Sequence, residues 1–172
     1  PYADKSMIRN ALAFALYREM GNMAPQTRFV SLVINQNYRG VYLLMEKVNL
    51  GSCGLNIPKL KPSAADSNRY EGGYVLEIDR NTIKSHFPSK GDSIAVPLHY
   101  GIHSPKPDKL PSHIQSLIQQ QFDAFEACLY RGEQANLCCD LPSFADYLIF
   151  TEFAKNIDGY RLSTFIYTQD FN

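Results

Sequence analysis

Phe29-Val30-Ser31-Leu32-Val33-Ile34, Asn35-Gln36-Asn37-Tyr38-Arg39-Gly40 and Val41-Tyr42-Leu43-Leu44-Met45-Glu46-Lys47-Val48 run consecutively, and their reading decides the fold class. The first and third blocks are apolar and rich in β-branched and aromatic residues, the composition of strands. The middle block carries Asn and Gly, which tolerate the left-handed backbone of tight turns. Two apolar runs separated by such a block read as an antiparallel hairpin.

Upstream, Met7, Ile8, Ala11, Leu12, Ala15 and Leu16 recur at three-to-four spacing, which predicts a helix. Asp4 or Ser6 is placed to cap it, and Gly21 to end it by adopting a left-handed conformation. Pro25 sets an extended approach to the hairpin. Downstream, residues 49–68 are rich in Gly, Ser, Pro and Lys and read as a loop. Gly73-Tyr74-Val75-Leu76-Glu77-Ile78-Asp79 reads as a further strand. The stretch 84–109 holds four of the ten prolines and reads as irregular, with short strands near Ile94 to Val96. Leu110 to Tyr130 places Ile114, Leu117, Ile118, Phe122, Phe125 and Leu129 on one side of a helix, with Arg131-Gly132 as its stop. A third helix begins at Pro142 or Ser143 and runs to about Asn156. Residues 157–163 form a loop into a last strand, Thr164-Phe165-Ile166-Tyr167. This order is an α+β arrangement with antiparallel sheet.

At 172 residues the chain is long enough for one domain with a real core. Lys plus Arg equals Asp plus Glu at 17 each, which argues against bulk electrostatic capture of nucleic acid or an anionic membrane. No apolar run is long enough to span a bilayer. The chain does not begin with Met, and both ends read as cut from something longer, so compartment is not legible from leader segments. Cys53, Cys128, Cys138 and Cys139 lack the spacing of a zinc site, which favours structural or free thiols, or a disulfide in a secreted protein.

The most informative polar segment is Asn156-Ile157-Asp158-Gly159-Tyr160-Arg161-Leu162-Ser163. Protein kinases place D-x-x-x-x-N between a helix and a strand. The Asp orients the attacking hydroxyl, and the group five positions later turns back to hold Mg²⁺. Here Ser163 occupies that later position. The spacing alone favours an Asp that simply caps or tightens a turn. His99 and His103 are four apart but sit among Gly and Pro, against a helical metal pair. No P-loop or G-x-S-x-G elbow is present, which disfavours P-loop nucleotide enzymes and Ser hydrolases. The loop lysines, among them Lys59, Lys61, Lys106 and Lys109, read as solvated positions.

Five blocks occur in order: Asp4–Asn10, Thr27–Val30, Tyr38–Glu46, Gly72–Asp79 and Lys155–Thr164. In that order and style the chain resembles the CotH kinase family, the spore-coat protein H-like proteins, over essentially its whole length. The resemblance implies an atypical protein-kinase fold, bound ATP and a divalent metal, Mg²⁺ or Mn²⁺, and phosphorylation of Ser residues on a partner protein. Carried over by position, Asp158 resembles the catalytic aspartate, and Asn156 shapes its loop. Ser163 falls at the metal-side position where related sequences often have Asn. Met45, Glu46, Lys47 and Val48 would lie along the adenine. Glu19, with Glu46 and Glu77 as alternatives, would pair with the phosphate-binding lysine.

The resemblance also divides the chain into a small-lobe helix and hairpin (1–50), an insert (51–109) and a helical large-lobe part with the catalytic loop (110–172). All three belong to one kinase-like domain. It places the lysine block before residue 1 and a Trp-Asp-Phe-Asp-like metal block after residue 172, so this piece alone is expected to be nearly inactive. Asp170-Phe171-Asn172 reads as the turn after the last strand. Spore coat, cell surface and secreted locations all fit the family. The rival reading is a non-catalytic kinase-like scaffold of a coat or surface assembly, which Ser163 in place of Asn favours. Transfer of a nucleotide moiety is a third.

Overall fold

A computed structural model describes residues 4–51, 55–64, 69–79, 86–88, 98–132, 134 and 138–171. The chain divides into two compact units, Pro1–Val48 and Asn49–Asn172.

In the first unit, α1 (Arg9–Glu19) precedes β1 (Thr27–Ile34) and β2 (Asn37–Met45). Of the two cap candidates, Asp4 makes the longer reach: its carboxylate accepts the Arg9 N–H at 3.1 Å, one of the donors a helix start leaves open. At the other end Gly21 takes φ 87°. Its N–H reaches the Arg18 carbonyl at 2.9 Å, and the Asn22 N–H reaches that of Tyr17 at 3.2 Å. These paired bonds are the glycine-ended stop expected of this sequence.

The hairpin turn is tighter than the six-residue block predicted. Ile34 pairs with Asn37, leaving only Asn35 and Gln36 between the strands. Both have positive φ, 49° and 65°, the conformation of a type I′ turn, whose twist matches the strands. The ladder shifts register between Leu32 and Val33, where Gly40 sits at φ 104°. The second strand therefore starts at Asn37, not Val41, and Glu46, Lys47 and Val48 lie beyond its end. The apolar stripe expected along α1 buries no residue. Ile8, Leu12 and Leu16 stay exposed, as do Phe29, Tyr42 and Leu44 of the hairpin.

The second unit is built on an antiparallel sheet of order β6-β7-β5-β8, comprising β6 (His86–Pro88), β7 (His99–Ser104), β5 (Tyr74–Asp79) and β8 (Thr164–Thr168). β5 is central, pairing with β7 and β8. Val75 and Leu76 are buried on successive positions, hence on both faces, as a central strand requires. The short β3 (Lys61–Pro62) pairs with β4 (Tyr70–Glu71). A 3₁₀ turn, Pro107–Lys109, leads into α2 (Ser112–Tyr130), and α3 (Leu141–Phe153) follows.

Ile114, Ile118 and Phe122, one stripe of α2, pack with Leu76, Ile78, Tyr100 and Ile102 to make the core. Burying each such aliphatic side chain contributes about 1.5–3 kcal/mol. Leu117 and Leu129, assigned to that stripe from spacing, are exposed. The Cys128–Cys138 disulfide, with Cα atoms 6.0 Å apart, ties the last turn of α2 to the approach to α3.

Two further expectations change. Residues 49–68 are not simply a loop: Leu50, Ile57 and Leu60 are buried. Isolated bridges join Leu50 to Leu55 and Lys59 to Gly73, and the Leu60 N–H donates to the Gly73 carbonyl at 3.1 Å. Residues 99–104 form a full strand where irregular chain was expected. The strands expected near Ile94 to Val96, and Cys53, lie outside the described residues. Among the described residues no helix is long and apolar enough to cross a membrane.

Candidate functional site

The turn between α3 and β8 is fixed from inside by hydroxyl groups. The Tyr147 hydroxyl, from the middle of α3, donates to the Gly159 carbonyl and lies 3.0 Å from the Thr164 hydroxyl. Thr164 itself donates to the same carbonyl at 2.5 Å. Thr151 and Thr164, at the end of α3 and the start of β8, are buried. Gly159 is buried between them: a Cβ there would lie 2.8 Å from Asn156 Nδ2 and 3.1 Å from Thr151 Cγ2. The loop enters through Lys155 at φ 52° and leaves through Ser163 at φ 51°, two non-glycine residues in the left-handed region. Such backbone costs on the order of 1–3 kcal/mol per residue and persists where surrounding contacts dictate it.

These contacts place Asn156, Asp158 and Ser163 on one turn. The Asn156 carbonyl accepts the Gly159 N–H at 3.0 Å, so Asn156 shapes the loop through its backbone. The Asp158 carbonyl accepts the Arg161 and Leu162 N–H groups at 3.0 and 2.9 Å. Its side chain is 52% exposed and pairs with Arg161 at 3.1 Å. An exposed ion pair of this kind contributes little stability. Asp158 thus tightens its turn through the main chain and leaves a carboxylate at the surface.

Ser163 points elsewhere. Its hydroxyl donates to Oδ2 of Asp79, at the end of β5, across 3.3 Å. Asp79 was not among the residues singled out, because its partner is distant in sequence. Glu77, two positions earlier on β5, meets Nδ1 of His103 at 2.9 Å. It is therefore engaged within the sheet. His103 also packs edge-on against Phe165, centroids 4.9 Å apart. His99 and His103 lie on one strand, so their spacing of four puts them on the same face about two residue pairs apart. Across the turn, Tyr160 donates to Glu152 at 2.7 Å, and that bond pushes its hydroxyl pKa up to about 12.

The remaining candidates lie in the first unit. Met45 ends β2 and is exposed. Glu46 continues the ladder: its N–H reaches the Gln26 carbonyl at 3.0 Å, and its Oε2 accepts the Gln26 N–H at 2.8 Å. That side chain closes the open end of the hairpin. Lys47 is exposed, Val48 half-buried, and Glu19, the last residue of α1, is exposed.

Among the described residues no three His, Cys, Asp or Glu side chains converge as a metal-binding group. Asp79 Oδ2 and Ser163 Oγ are nonetheless two hard oxygen donors held together, the donor type Mg²⁺ prefers. Such a pair suits a cation that takes its other ligands from phosphate and water.

An α+β chain with an Asp-bearing turn between a helix and a strand is the class that fold and site define. The CotH kinase protein family profile matches residues 1–172, and the chain belongs to that family. No curated protein and no solved structure matches it at a significant level. Family membership implies a kinase-like function with nucleotide and metal use.

Proposed function

We propose that this chain is the Asp158-bearing part of an atypical protein-kinase domain that transfers phosphate from ATP to Ser hydroxyls of a partner coat or surface protein. Residues 1–172 form one kinase-like domain on this reading. The observation that carries it is the position of Asp158: a surface carboxylate on a turn braced by Tyr147, Thr164 and Gly159. A preorganised carboxylate is what an acceptor hydroxyl needs. It accepts the hydroxyl hydrogen bond, aims the oxygen, and takes the proton as the new O–P bond forms and the bond from the γ-phosphorus to the bridging oxygen breaks, releasing ADP.

Mg²⁺ bound to ATP supplies electrostatic neutralisation of the phosphates. Asp79 and Ser163 are the residues of this unit that would hold it. Met45 to Val48, a chain segment just past a strand end, would offer backbone groups to the adenine edge, and Glu19 would orient a lysine.

A second reading, a non-catalytic kinase-like scaffold, has one observation in its favour. The Ser163 hydroxyl is spent on Asp79, and Asp158 on Arg161, an arrangement that also serves only to hold the turn. The deciding experiment incubates the full-length protein with Mg²⁺, γ-labelled ATP and Ser-containing acceptors, beside Asp158→Ala. Label transferred by the wild type and lost in the variant supports the kinase. No transfer from either folded protein moves the assignment to the scaffold. Mass spectrometry of the product separates phosphoryl from nucleotidyl transfer.

A further inference from the structure

We infer that Arg161 is a phosphate-contacting catalytic residue, a guanidinium that bridges Asp158 and the γ-phosphoryl group of bound ATP. The inference rests on the kinase reading and names a further role within the same site.

Three observations single it out. Arg161 returns to Asp158 by main chain and side chain: its N–H donates to the Asp158 carbonyl at 3.0 Å, and Nη2 donates to Oδ1 at 3.1 Å. Both side chains stay open to solvent, 58% exposed for Arg161 and 52% for Asp158. The neighbours turn back to the protein instead: the Tyr160 hydroxyl donates to Glu152 of α3 at 2.7 Å, and Leu162 is half-buried. An exposed ion pair contributes little stability, so holding the turn does not account for an arginine here. Main-chain bonds, with Tyr147 and Thr164 on the Gly159 carbonyl, already hold it.

The chemistry of the site calls for such a group. The acceptor hydroxyl must sit between two anions, the Asp158 carboxylate and the γ-phosphoryl group, and their repulsion opposes that approach. A cation that touches both offsets it. Guanidinium suits the task because it is planar and carries five N–H donors in a fork that matches carboxylate and phosphate oxygens. Its contact with Asp158 uses one nitrogen. As the Ser oxygen bonds to the γ-phosphorus, the bond from that phosphorus to the bridging oxygen breaks. ADP leaves with the electron pair, and Asp158 takes the proton of the hydroxyl. Arg161 gives up no proton; its N–H groups stabilise the charge on the non-bridging phosphoryl oxygens.

The test uses the full-length protein and measures nucleotide affinity by calorimetry, with Mg²⁺ and no acceptor. The probes are ADP and the non-hydrolysable β,γ-imido analogue of ATP, which differ by the γ-phosphoryl group. Arg161→Gln is expected to weaken the triphosphate analogue by about tenfold or more and to leave ADP unchanged, the scale of a lost charge-assisted hydrogen bond. Label transfer from ATP should fall by about a hundredfold or more. The same substitution in an Asp158→Asn background separates direct contact from support of Asp158, and should still weaken the triphosphate there. An unchanged triphosphate affinity, an equal loss for ADP, or a loss that vanishes in that background overturns the assignment. Wild type that binds and transfers, beside a variant that does both equally well, overturns this inference alone. Wild type that does neither overturns the kinase reading along with it. If Arg161→Gln does not fold, Arg161→Lys decides: it keeps a charge without the fork, and an undiminished preference for the triphosphate overturns the assignment.

Discussion

The hydroxyl of Ser163 donates to the carboxylate of Asp79 across 3.3 Å, joining two residues 84 positions apart. Ser163 precedes β8 and Asp79 ends β5, and Ile78 pairs with Thr164 in the ladder between them. The strand pairing thus delivers the end of the Asp158 turn to a second acidic residue. On the kinase reading, Ser163→Ala and Asp79→Asn both lower the affinity for Mg²⁺ in the transfer assay. A scaffold would show neither effect. Raising Mg²⁺ should restore rate in Ser163→Ala, measured as initial velocity against metal concentration.

Asp158→Asn tests the centre of the proposal without touching the fold. The side chain is half exposed and its ion pair is a surface one, so thermal stability should move by less than about 1 kcal/mol. Phosphotransfer should fall by about a hundredfold or more, the scale of a lost proton acceptor. Paired melting curves and labelled-ATP assays read both quantities.

Tyr147→Phe removes the hydroxyl that holds Gly159 and Thr164 while keeping the ring. The buried Gly159 carbonyl keeps Thr164 as its donor, so a loss of about 1–2 kcal/mol is expected rather than unfolding. Gly159→Ala should cost at least as much, because its Cβ meets Asn156 and the buried Thr151. Urea midpoints of the two variants against wild type check the order.

The Cys128–Cys138 disulfide closes a short loop, with a sequence separation of 10. Chain-entropy reasoning gives about 2–3 kcal/mol of stabilisation for a loop of that size. Cys128→Ala with Cys138→Ala, or reduction with dithiothreitol, should lower the melting temperature. Alkylation mass shifts before and after reduction, counted on the denatured chain, establish that this pair is the one opened.

Burial of Tyr74 in the core pushes its hydroxyl pKa up to about 12 from the ordinary 10. The folded state therefore keeps a proton that the unfolded state gives up, so the stability this proton confers is full below pH 10. It is lost as pH rises from about 10 towards 12, by at most about 3 kcal/mol. Tyr160, raised in the same direction by its bond to Glu152, titrates in that window too. Denaturant midpoints at pH 8 and across the window should decline, and Tyr74→Phe should flatten the decline.

Gln36 occupies the second left-handed position of the hairpin turn, φ 65°, where a side chain is strained. Gln36→Gly should stabilise the hairpin by about 1 kcal/mol. Slower amide hydrogen exchange in β1 and β2 would register it, with no change expected in β5.

Much of the fold was legible because its signals are local. Gly21 announced the end of α1, alternating apolar residues announced β5, and the spacing of Ile114, Ile118 and Phe122 announced α2. The misreadings also have physical causes. His99-Tyr100-Gly101-Ile102-His103-Ser104 has weak intrinsic strand character, and pairing with β5 decides its conformation. Leu50, Ile57 and Leu60 sit among turn-forming residues, and their burial follows from the sheet edge they reach. The helix read from the spacing of α1 is present, yet none of its residues is buried.

What the sequence by itself determined are the family, the α+β class, the helix stops and the turn bearing Asp158, since each rests on neighbouring residues and short-range backbone preference. Tertiary structure alone decided that Ser163 meets Asp79, that Glu77 is engaged by His103, that Tyr147 braces Gly159, and that Glu126 lies buried among aromatic rings. These pairs come from different elements. Their contact depends on strand register and on how a helix face meets the sheet, and no local propensity encodes either.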